Sequence, residues 1–165
     1  MIDLEELRKF LNNADKPHAD GTAKIIREED GSSTITFSEG EWSMHDNFFG
    51  GEPYGGRQIV YFQGKPAWFC AYYGWIEQGN DVKPIYDFLR LSLQHEPVNG
   101  FSRGPASFVE GEYEYRNSAT GSIENYSGHE IIMKNGKQIY VADYMGGLVD
   151  QHANGEYWFV KNFVL

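Results

Sequence analysis

At 165 residues, 41% of them hydrophobic, the chain has the size and apolar content of a single domain over 1–165. Its one cysteine, Cys70, excludes an intrachain disulfide and suits a reducing compartment. The formal charge of −10, from 24 acidic against 14 basic side chains, opposes phosphate backbones, so direct nucleic-acid binding is not expected; an acidic inhibitor or nucleic-acid mimic is an alternative, without a dense acidic run to support it.

The start, MIDLEELRKF, is amphipathic and charged, unlike a secretory signal. The longest apolar run, Ala67 to Ile76, is about half of the ~20 residues that cross a bilayer. A cytoplasmic protein without a membrane partner is expected. Asp3 with Glu6 reads as a capping box, and Leu4, Leu7, Leu11 and Ala14 share one helical face, which predicts a helix over 4–14. Strands are predicted over 24–29, 33–38, 41–48, 57–63 and 66–75 from runs of Tyr, Phe, Trp, Ile and Val between turn residues. Between them, Phe48 to Gly56 is glycine-rich, lacks the Gly-Lys-Ser/Thr ending of a phosphate loop and reads as a mobile connection able to cover a pocket. Asp81 and Pro84 start a second helix over 82–95, with Val82, Ile85, Leu89 and Leu93 facing inward. Further strands are predicted over 105–110, 112–118, 122–134, 137–146 and 156–163, with hairpin turns at Gln63-Gly64 and Asn135-Gly136.

GGRQIVYFQGKPAWFCAYYGWI, residues 55–76, returns as SGHEIIMKNGKQIYVADYMGGL, residues 127–148. A shift of 72 positions superposes Gly56 on Gly128, Gly64 on Gly136, Lys65 on Lys137, Tyr72 on Tyr144 and Gly74 on Gly146. Upstream, Gly40-Glu41-Trp42 meets Gly111-Glu112-Tyr113. The expected fold is therefore α+β, an antiparallel β-rich single domain with two main helices, built from two pseudo-symmetric helix-plus-meander repeats at 40–76 and 111–148.

HDNFFGGEPYGGRQIVYFQGKPAWFCAYYG, FSRGP, GEYEY and SGHEIIMKNGKQIY followed by GGL together cover most of 41–148. Here the chain resembles a functionally uncharacterised family of bacterial and archaeal domains, often found after helix-turn-helix domains in proteins labelled as transcriptional regulators. Relatives carry Gly-x-Glu-x-Val where this chain has Gly56-Arg57-Gln58-Ile59-Val60, and Asn where it has Ala71. Only some twenty residues precede the first predicted strand, so no helix-turn-helix is expected and any regulatory role runs through a partner.

No motif fixes a reaction. Gly100-Phe101-Ser102-Arg103-Gly104 fits G-x-S-x-G, but it follows a helix and precedes Pro105, the reverse of a nucleophile elbow. His45-Asp46 and His129-Glu130 are strand neighbours that point to opposite faces and form no dyad. The five histidines lack metal-binding spacing, Cys70 has no second cysteine, and no metal or cofactor is expected. No catalytic residue is assigned. The expectation is a non-enzymatic small-molecule or protein-binding, regulatory module of unknown ligand. Its candidate site is a cleft between the repeats, lined by Trp68, Tyr72 and Tyr144, with Asp46 and Arg103 as polar anchors. The alternative is an enzyme in which Asp46 moves a proton and Arg103 orients an anionic substrate.

Overall fold

The computed structural model describes residues 2–149 in full, together with the backbone of 152–153 and 156–157. Helix α1 (Leu4–Asp20) begins where Asp3 Oδ1 accepts the backbone N–H groups of Glu5 and Glu6, the cap the sequence predicts. It runs six residues beyond the predicted end. Pro17 removes one N–H near the C-terminus, where a single lost bond is tolerated, and Gly21 at φ 77° then closes the helix. Helix α2 (Val82–Ser92) starts at the predicted residue, but Asp81 at its N-cap makes no side-chain hydrogen bond to the helix and Val82, in its first turn, is exposed rather than inward; the helix stops three residues early, at Leu93.

The strands are β1 (Ile26–Arg27), β2 (Ser33–Glu39), β3 (Trp42–Gly50), β4 (Tyr54–Phe62), β5 (Lys65–Ile76), β6 (Ser107–Glu110), β7 (Tyr113–Ser122), β8 (Asn125–Lys134) and β9 (Lys137–Leu148). They form one antiparallel sheet in the order β1-β2-β3-β4-β5-β9-β8-β7-β6. Two meanders, β2 to β5 and β6 to β9, thus join through their last strands at the sheet centre. Short β10 (His152–Ala153) and β11 (Glu156–Tyr157) pair with each other; the rest of the strand predicted over 156–163 lies outside the described residues. The first predicted strand shrinks to two residues, and the β7–β8 turn falls on Ile123-Glu124 rather than between 118 and 122.

Both predicted hairpin turns form. Gln63 and Asn135 adopt φ of 51° and 49°, followed by Gly64 and Gly136 at 76° and 80°. Register fixes the central pairing: Tyr72 on β5 faces Tyr144 on β9. The β4–β5 ladder shifts between Val60 and Tyr61, and the β8–β9 ladder between Ile132 and Met133.

Alternation along the strands sends Trp42, Met44, Val60 and Trp68 to one face, under Leu7, Phe10, Leu11 and Ala14 of α1. Tyr115, Ile132 and Tyr140 meet Ile85, Phe88 and Leu89 of α2 on that same face. The opposite face carries no helix among the described residues, and Tyr73 and Met145 stand exposed on it. Phe48 to Gly56 is not a long mobile connection. Strand β3 reaches Gly50 and β4 begins at Tyr54, because Gly50 at φ 76° permits a tight turn. Glu52 at its tip accepts the Ile76 N–H at 2.5 Å and the Tyr86 hydroxyl, tying the hairpin to β5 and α2.

Candidate functional site

Between the helices and the sheet lies a cavity of about 420 Å³. Its floor is one row of the sheet, read directly from the register: Ile35 opposes Asp46, Asp46 opposes Gln58, and Gln58 opposes Cys70. The walls come from Asp15 and His18 on α1, Tyr86, Leu89 and Leu93 on α2, Tyr54 and Tyr72 on the sheet, and Ser102 and Arg103 on the loop before β6.

Asp46 points inward because Trp42 and Met44 do, and alternate residues of a strand share a face. Its Oδ1 accepts the Tyr72 hydroxyl at 2.6 Å. Tyr72 reaches it by lying over Gly56, where a Cβ would stand 2.6 Å from the phenol oxygen. Loss of solvent raises the Asp46 pKa to about 7, against the lowering hydrogen bond from Tyr72, and the nearby Asp15 charge raises it further. Asp15 is raised to about 6, again by desolvation first, while the Gln58 amide, donating at 2.8 Å, pulls it down. His18 stands at the mouth, where partial withdrawal of its ring from water, then the Arg103 and Arg90 charges, push its pKa down. Cys70 is not nucleophilic, since burial pushes its thiol up to about 12.

Arg103 is engaged elsewhere. Its guanidinium donates through Nε, at 3.1 Å, and through Nη2 to the two carboxylate oxygens of Glu130. Glu130 is wholly buried and also accepts the Tyr115 and Tyr140 hydroxyls at 2.6 and 2.8 Å. Since the Tyr140 proton goes to Glu130, Tyr54 in the cavity wall is the donor in its 2.6 Å contact with Tyr140. Burial alone would lower the Arg103 pKa, but the Glu130 charge overrides it and holds the pKa well above the ordinary value.

Asp46, Tyr72 and Arg103 thus share the cavity. Trp68 and Tyr144 are not among its lining residues. Trp68 is fully buried, stacks on Tyr126 and donates its indole N–H to the Ile123 carbonyl at 3.0 Å. Tyr144 lies over Gly128 and donates to Asn117 Oδ1 at 2.8 Å, while Asn117 Nδ2 donates to the Gly104 carbonyl. The cleft lies mainly over β2 to β5 rather than astride the join of the two meanders. Sequence reasoning passed over Asp15, His18 and Gln58; the first two continue the inward stripe of α1, four and seven residues after Leu11.

Residues 46–149 match the family described as a domain of unknown function, DUF5680, and the chain belongs to that family. No curated protein and no solved structure matches it. Among the described residues no helix is long and apolar enough to cross a membrane, and no group of three or more His, Cys, Asp or Glu could hold a metal ion.

Proposed function

We propose that the chain is a non-enzymatic binding module whose small-molecule ligand occupies the cavity under the two helices. The observation that carries this reading is the cavity itself. Its volume of about 420 Å³ lies in the range of ~300–1,000 Å³ usual for ligand sites, and a mainly apolar wall is interrupted by a few convergent polar groups, Asp15, Asp46, Tyr54 and Tyr72. In this reading the protein works in the cytoplasm and passes occupancy to a protein partner, as suits its resemblance to bacterial and archaeal domains that follow DNA-binding modules. Calorimetry against a metabolite panel tests it, with Leu93→Trp and Ala23→Trp, both at partly buried wall positions, as filled-cavity variants. A ligand of the parent chain is expected to be lost in both. Binding that survives both fillings, or no binding across the panel, refutes the reading.

A second reading makes the chain an enzyme. It is favoured by the position of Asp46 beside Arg103 in one cavity, with a pKa of about 7 suited to proton transfer at neutral pH. Arg103, already engaged by Glu130, then positions rather than binds an anion. Recovery of a bound ligand chemically altered after incubation, and unaltered with Asp46→Asn, would favour this second reading.

We further read the fold as two helix-plus-meander repeats, 40–76 and 111–148, related by a pseudo-twofold at Tyr72 and Tyr144. What supports it is coincidence of detail: ladder shifts 72 positions apart, matching left-handed turns, and two tyrosines that each lie over a glycine to reach Asp46 or Asn117. Backbone superposition of the two segments in an experimental structure checks it; a differing path refutes it.

A further inference from the structure

We infer that the cavity takes a small organic cation, an amine carried on an apolar or aromatic body. This rests on the reading of the cavity as a ligand site and adds the charge of the ligand. The balance of charge around the wall decides it. Arg103 is positive, but Glu130 behind it matches that charge with two hydrogen bonds, so the pair offers an incoming anion little. Arg90 at the rim is held by Asp87 of its own helix. Asp15 and Asp46 remain. Each uses one oxygen, toward Gln58 and Tyr72 respectively, and the second oxygen of each takes no hydrogen bond from a described residue.

An ionised carboxylate drawn out of water with no cation in hydrogen-bond contact is costly; the Arg103 charge favours ionisation of both Asp15 and Asp46, but desolvation outweighs it, and the Asp15 charge adds repulsion at Asp46. An ammonium group supplies both the charge and the donors that this wall lacks. The remainder suits the body of such a molecule. Phe48, Tyr54, Tyr72 and Tyr86 line the cavity with aromatic rings, a residue type whose faces attract cations, and Met44 and Leu89 add apolar surface. An anion would meet two carboxylates and a guanidinium already taken.

The other titratable or charged groups lining the cavity with Asp46 and Asp15 are His18 from α1, Tyr54 from β4, Cys70 and Tyr72 from β5, Tyr86 and Arg90 from α2, and Arg103 from the loop before β6. With both carboxyls titrating near neutrality, cation binding strengthens as pH rises through that range and releases protons at its acidic end.

The test is calorimetry on the full chain with three probes of one shape: 2-phenylethylamine, 3-phenylpropionate and 2-phenylethanol. The amine is expected to bind at pH 8 and to bind roughly tenfold or more weakly at pH 5.5, from the fraction of ionised carboxyl. Asp46→Asn and Asp15→Asn should each weaken it by about tenfold, as loss of one charged partner does, with unchanged circular dichroism. Proton release at pH 6.5 should appear as heats that scale with buffer ionisation enthalpy. Carboxylate or alcohol binding as tight as amine binding, or amine binding indifferent to both substitutions, overturns the cation and leaves the cavity reading standing. If none of the three probes binds, the cation inference falls, and the cavity reading is decided by the metabolite panel and the filled-cavity variants.

Discussion

Replacing Glu130 by glutamine would test the electrostatic keystone of the sheet. Glu130 is wholly buried on β8 and accepts four hydrogen bonds, two from Arg103 and one each from Tyr115 and Tyr140. Glu130→Gln keeps the shape but removes the charge that neutralises Arg103, whose side chain is only 16% exposed. It also gives the amide two N–H groups directed at donors. Breaking a buried ion pair on one side costs about 3–5 kcal/mol. For a chain of this size that lowers Tm by roughly 2–4 °C per kcal/mol, or about 6–20 °C in all. Urea unfolding followed by tryptophan fluorescence gives the free energy, and thermal unfolding gives Tm. Arg103→Met in the Glu130→Gln background removes the stranded charge and should recover a large part of the loss, with a coupling of about 2 kcal/mol or more. A single-variant loss below about 1 kcal/mol, or a double variant that is simply additive, refutes the account of Glu130 as the counter-charge.

Asp46→Asn should stabilise the protein in a pH-dependent way. The folded pKa is about 7 against an ordinary 3.8, so the folded state holds its proton longer, and stability is lost as pH rises from about 4 through 7. The gain from Asn is then near zero at pH 4 and of order 2–4 kcal/mol at pH 8, read from urea midpoints; a pH-independent difference counts against it. Tyr72→Phe removes the hydrogen bond that lowers this pKa, so the Asp46 carboxyl resonance should titrate above 7 by NMR, and an unchanged or lower value contradicts the geometry. Gly128→Ala places a Cβ 2.0 Å from Cζ of Tyr144 and should cost about 2–4 kcal/mol, partly restored by Tyr144→Leu; a neutral outcome would mean the ring does not lie there. Gln63→Asn, matching Asn135 in its turn at φ 49°, should stabilise by about 0.5 kcal/mol because Asn tolerates the left-handed region better than Gln, and destabilisation would refute it.

Local chemistry made much of the fold legible. Asp3 caps α1, the Gly-Lys turns fix two hairpin registers, and alternation along β3 turns Asp46 inward. What escaped depends on distance. The predicted helix ends at 14, which leaves Asp15 and His18 outside its inward stripe; α1 instead continues to Asp20, because the N–H lost at Pro17 belongs to a last turn that Gly21 closes by itself. The glycines between Phe48 and Gly56 suggested mobility, but Glu52 finds acceptor duty toward Ile76 and Tyr86, partners 24 and 34 residues away. His129-Glu130 was rightly refused as a dyad, since the two point to opposite faces, yet nothing local to Glu130 announces Arg103. The site follows the same rule. Asp46, Tyr72 and Arg103 reach one cavity through sheet register and a loop, whereas Trp68, attractive as an aromatic wall, serves the core beneath α1.

The central place of β5 and β9 has a consequence for a growing chain. Each of these strands closes its meander, so β5 is complete as soon as Ile76 is made, while its far edge must wait for β9. During that interval an edge carrying Phe69, Tyr73 and Trp75 stands open, the kind of unpaired border on which another strand can seat. Tyr72 will finally face Tyr144 in an antiparallel ladder, and the same border on a second nascent chain could present Tyr72 in that position. A fragment ending before β6 should therefore run in sedimentation as a self-associated species, and Tyr73→Pro, which removes an N–H directed at the open border, should keep it monomeric. For this molecule, the seam that makes the sheet continuous is also where incomplete chains are most exposed to one another.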